Sequence, residues 1–175
     1  MALSPEVLLP SEGLPNGLGL CFAALEEVRA PLREAVEGMT DDAIARRAVP
    51  GAHAIAALLL HIGEAEWWWM RCVISGHVMN AEDERASFWD VLEDKGDFAR
   101  HGYTARYCLD VIDSIRQQTR DVLASFGDED LDRIFFHQRE RGDIHISLRR
   151  VLHHLADHEA QHKGQILMLK RLLEQ

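Results

Sequence analysis

The chain has 175 residues, 47% of them hydrophobic and 27% charged, with a formal net charge of −10. That length and balance fit one globular domain over residues 1–175 and exclude whole-chain disorder. The acidic charge argues against nucleic acid as a partner, because affinity for a phosphate backbone comes from clustered Lys and Arg releasing counterions.

The longest apolar run, Ala54 to Leu60, falls far short of the roughly 20 residues that a membrane span needs. Met1 to Glu6 has no basic residue, and no apolar stretch with a cleavage site follows, so the expected compartment is the cytoplasm. Cys21, Cys72 and Cys108 are odd in number and have no C-x-x-C spacing. They are expected to be reduced core thiols.

Along the chain, Leu18, Cys21 or Phe22, Leu25, Val28, Leu32, Val36 and Met39 recur every three or four positions, which predicts a helix over 16–39. Pro31 lies inside it and predicts a kink or a late start. Thr40-Asp41-Asp42 reads as a cap opening a short helical turn that ends before Val49-Pro50-Gly51. From Ala52 to Ser75 apolar residues occupy nearly every face, the mark of a central helix. Residues 76–102 read as a long crossover with at most a short helix. Thr104 caps a third long helix to about Ser125, and Ser147 caps a fourth to about Leu173. Between them, the β-formers around Arg141-Gly142-Asp143 allow a small hairpin. Long helices joined by long connections predict an all-α four-helix bundle with crossover links.

The chemistry-bearing residues sit on the buried stripes. In the last helix the stripe Leu148, Leu152, Leu155, His158, His162, Ile166, Leu169 and Leu173 puts two imidazoles four residues apart, one above the other and able to share an ion. His61 holds an apolar-face position near the middle of the second helix. Three buried imidazoles without a common ligand would leave several polar nitrogens unsatisfied, at about 1–3 kcal/mol each. One divalent ion removes that cost. Imidazoles suit zinc or nickel, with iron and copper as alternatives.

Neighbouring residues admit several readings. His154 is a fourth ligand, a group behind the ligands, or a helix-flank residue, and His153 a surface one. Glu64 either orients an imidazole or, like Glu66, is a solvated charge. Gly164 permits close helix packing, and Gln165 reaches the site edge. Trp67, Trp68 and Trp69 span about 200° of helix, enough to place one ring in the core and another against a pocket. His158-Glu159-Ala160-Gln161-His162 also fits the H-E-x-x-H pattern of zinc proteases, but no H-x-x-G-x-x-H extension follows.

The segment Leu152 to Ile166, with Leu58 to Trp68 and the Val49-Pro50-Gly51 approach, resembles the DinB/YfiT-like metalloenzymes. The resemblance implies an up-down-down-up four-helix bundle, often a homodimer, with His61, His158 and His162 as metal ligands. It also implies an open coordination site acting on a small molecule, either through activated water or by S-transfer with a low-molecular-weight thiol. The competing expectation is a non-catalytic metal-binding or stress-response bundle.

Overall fold

The computed structural model describes residues 7–86, 88–92, 102–139 and 142–175. The expectations for Met1 to Glu6, for part of the crossover and for Arg141 fall outside these residues. Helix α1 (Asn16–Glu37) begins after Pro15, which has no side chain able to cap it. Asp128 supplies the missing acceptor, taking the N–H groups of Gly17 and Leu18 at 2.9 Å each. Pro31 sits inside α1, and the helix does not start late. Its buried stripe is Leu18, Phe22, Leu25, Arg29, Leu32 and Val36, so Arg29 takes the core position expected of Val28.

Thr40 caps the short α2 (Asp41–Ala45). Helix α3 (Ile55–Trp67) is buried from Ile55 to Leu60 and continues as a π-helical segment, Trp68–Ile74. Gly63 permits the close approach of a neighbouring helix, since a Cβ there would lie 2.9 Å from Ile115 Cδ1 and 3.2 Å from Ile112 Cγ2. The described part of the crossover contains one 3₁₀ turn, Asp83–Arg85. Thr104 caps α4 (Ala105–Leu123), accepting from the Tyr107 N–H.

The small hairpin allowed by the sequence is present. Strands β1 (Ile134–His137) and β2 (Ile144–Ser147) pair antiparallel, with Ile134 opposite Ser147. Helix α5 (Leu148–Leu173) follows β2 without a linker, capped by the Ser147 hydroxyl, which accepts from Arg150 N–H. The fold is therefore mainly helical with one two-stranded sheet.

Helix α3 packs on α4 and α5, and α1 packs on α5 and α4. Their apolar side chains form two main clusters. One takes Leu32 and Val36 from α1, Ile55 to Ile62 from α3, Cys108 to Ile112 from α4, and Ile166 and Leu169 from α5. The other takes Leu18 to Leu25, Met70 and Ile74 from the π segment, Leu123, and Leu148 to Leu155. Along the chain, α1 and α5 contribute first to the second cluster and then to the first, whereas α3 with its π segment, and α4, contribute in the reverse order. Between the clusters each of the four helices contributes one buried charged residue: Arg29, Glu66, Arg116 and Glu159.

Candidate metal centre

His61 projects from α3, and His158 and His162 from α5, so that their ligating nitrogens lie within 4.8 Å of one another. The Nε2 atoms of His158 and His61 are 3.3 Å apart, and those of His162 and His158 are 3.1 Å apart. Two nitrogens held at 2.0–2.1 Å from one tetrahedral ion would be separated by about 3.3 Å. The spacing fits a shared ion.

The outer nitrogens fix which ring atoms face inward. His61 Nδ1–H donates to Glu64 Oε2 at 2.9 Å, and His162 Nδ1–H donates to Gln165 Oε1 at 2.9 Å. In a neutral ring with Nδ1 protonated, Nε2 is a bare lone pair. Both rings thus direct lone pairs toward His158 Nε2, an arrangement that a shared cation satisfies in full, whereas the single Nε2–H of a neutral His158 would answer only one of the two. Burial, reinforced by His162, His61 and His154, pulls the His158 pKa down to about 4. Burial likewise lowers that of His162, partly offset by its bond to Gln165. Neutral imidazole is the metal-binding form.

His61 and His158 line a cleft of about 730 Å³ whose walls include Trp68, Trp69, Met79, Trp89, Glu84 and Asp90. Glu64 joins floor to wall, since its second carboxylate oxygen accepts the Asp90 N–H at 3.4 Å. Trp67 is a core residue, and Trp68 and Trp69 face the cleft with ring centroids 5.0 Å apart. His154 packs edge-on against Trp69 at 5.3 Å and is not part of the metal-competent cluster. His153 is exposed, as expected.

Two neighbour expectations fail. Gly164 is exposed, and a Cβ there would meet nothing within 4 Å, so the close helix approach belongs to Gly63 instead. Glu66 is not a solvated charge but a buried one, and Arg116 with Arg29 holds its carboxyl below the usual range against the opposing effect of burial. Glu159 is also buried, bonded to Arg29 and Arg116, so it faces away from the imidazoles and cannot act as the base of a zinc protease. Sequence reading missed Met79, Glu84, Trp89 and Asp90, because a crossover of irregular backbone gives no periodicity from which to infer a facing direction. It also missed Arg29 and Arg116, although both fall on the spacing of apolar stripes.

The mycothiol-S-transferase family model matches residues 20–175. The chain belongs to that family. It is a branch of the DinB/YfiT-like superfamily, in agreement with the sequence resemblance. Membership implies a metal-associated enzyme of the thiol S-transferase kind, using a small-molecule thiol. A comparison with curated proteins returns no match. Among the described residues no helix is long and apolar enough to cross a membrane.

Proposed function

We propose that this chain is a metal-dependent S-transferase in which His61, His158 and His162 hold one divalent ion, zinc or nickel before iron, and that its sulfur donor is a low-molecular-weight thiol such as mycothiol. The observation that carries this reading is the convergence of three imidazole nitrogens at the edge of a large aromatic-walled cleft. The proposed frame is a four-helix bundle of up-down-down-up course, supported by the order in which each helix meets the two apolar clusters. A homodimer, implied by the sequence resemblance, belongs to the same proposal and is tested by light scattering.

A divalent ion with an open position supplies Lewis acidity that lowers the pKa of a thiol, raising the fraction of nucleophilic thiolate near neutral pH. Glu64 and Gln165 hold the rings of His61 and His162 in the required tautomer. Trp68, Trp69 and Trp89 offer flat apolar surfaces that orient a substrate and exclude water from it. The chain's own thiols do not take part. None of its cysteines lines the cleft, and burial pushes the Cys72 and Cys108 thiols up to about 11 and about 12.

Transfer is favoured over hydrolysis because the carboxylate that H-E-x-x-H would provide as general base is committed to two arginines. The test incubates metal-loaded protein with mycothiol and a panel of small electrophiles, following thiol consumption and adduct mass. Adducts should form with the native chain and vanish with His61→Ala. Metal-dependent ester or amide cleavage without thiol consumption would replace transfer by hydrolysis.

A further inference from the structure

Arg29, Glu66, Arg116 and Glu159 form a buried ionic layer between the two apolar clusters, with side chains only 1–5% exposed. Arg116 donates to Glu66 through Nε at 2.7 Å and Nη2 at 3.1 Å, and through Nη2 to Glu159 at 2.7 Å. Arg29 donates through Nη2 to Glu66 and to Glu159 at 3.1 Å each, and its Nε also bonds Glu159. Each acid is thus held by both arginines. Among the fully buried members the acids come from α3 and α5, which carry the histidines, and the arginines from α1 and α4, whose own half-exposed acids Glu26 and Asp113 pair with Arg116 and Arg29 at the rim.

A buried ionic cluster is a poor source of stability, since desolvation offsets most of the attraction and a well-packed apolar replacement is often as stable. What it can supply, as in some systems, is alignment, because a slide or rotation of one of these helices would strand a buried charge. Apolar clusters above and below impose no such rule. Glu159 follows His158 directly, about 100° around α5, and Glu66 lies five residues beyond His61 on α3. Fixing the two carboxylates therefore fixes the rotation of both ligand-bearing helices. A 20° rotation would move an imidazole nitrogen by roughly 2 Å, against a coordination tolerance of about 0.2 Å.

We propose that the Arg29–Glu66–Arg116–Glu159 layer is a positioning device that aligns α3 with α5, so that the three histidines meet at coordination distance. This rests on the metal reading above. The test measures cobalt affinity and the visible cobalt spectrum, neither of which requires turnover, alongside helical content and melting temperature. The variant Arg29→Met/Glu66→Leu/Arg116→Met/Glu159→Leu removes all four charges, and Arg116→Lys is a milder change that keeps the charge but loses the planar fork. The fourfold variant, where folded, should melt within a few degrees of the native chain yet bind cobalt about 10 to 100-fold more weakly, with a changed spectrum. Arg116→Lys should show a smaller weakening, of several-fold, at temperatures where it is fully folded. Unchanged cobalt affinity and spectrum in a folded variant would overturn the positioning role while leaving the metal site intact. Failure of the native chain to bind cobalt through the triad would overturn both readings, and His61→Ala in parallel tells the two failures apart.

Discussion

His61 and His162 use the same local device, an acceptor three residues further along the helix that takes the Nδ1 proton. Removing such an outer partner usually weakens metal affinity by about 10 to 100-fold without abolishing the site. Glu64→Gln should fall in that range, whereas His61→Ala, His158→Ala and His162→Ala should each lose the metal and His154→Ala should keep it, as elemental analysis of untagged protein will show. A pH effect follows from His158, whose folded pKa of about 4 lies below the ordinary imidazole value. Between about pH 6.5 and 4 the unfolded chain binds a proton that the folded chain refuses, so stability rises with pH across that window. Metal-free protein should melt at progressively lower temperature as pH falls from about 6.5 toward 4. The slope should flatten in His158→Ala, and an identical slope would remove this histidine as its source. The three ligands were legible in the sequence because imidazoles on apolar stripes are conspicuous. Their orienting partners were weaker signals, since Glu64 and Gln165 differ in spacing from no ordinary surface residue.

At the scale of helices, most boundaries follow from hydroxyl caps at Thr40, Thr104 and Ser147 that the sequence displays within one turn. The start of α1 is different, because its cap, Asp128, lies 111 residues from Gly17 and no local pattern could reveal it. The stripe of α1 is one residue off at Arg29, which is buried in place of Val28. Hydrophobic periodicity has no means of marking a buried arginine. Gly63 of α3 and Gly164 of α5 separate cleanly by surroundings. Gly63→Val should destabilise by about 1–3 kcal/mol through overpacking against Ile112 and Ile115. Gly164→Ala, in open space, should stabilise by about 0.5–1 kcal/mol. Denaturant unfolding of both variants checks the contrast, and a stabilising Gly63→Val would contradict the close approach of α3 and α4.

For the whole molecule, the ion would join helices whose ligands, His61 and His158, stand 97 residues apart. Anything that binds the folded chain and not the unfolded one raises stability by mass action, so saturating zinc should raise the melting temperature and a chelator should lower it. In His61→Ala this response should shrink to that of a two-histidine site. The same separation has a meaning in time. During synthesis at about 5–20 residues per second, α3 emerges roughly 5–20 s before its partners on α5. Throughout that interval the apolar surface of Ile55 to Leu60 lacks the α5 side chains Ile166 and Leu169 of its cluster, and Glu66 lacks the shared layer that Glu159 closes. The nascent chain therefore carries a helix with part of its apolar face uncovered until α5 is made, and a ribosome stalled before α5 would release a product prone to aggregate and unable to assemble the three-histidine site.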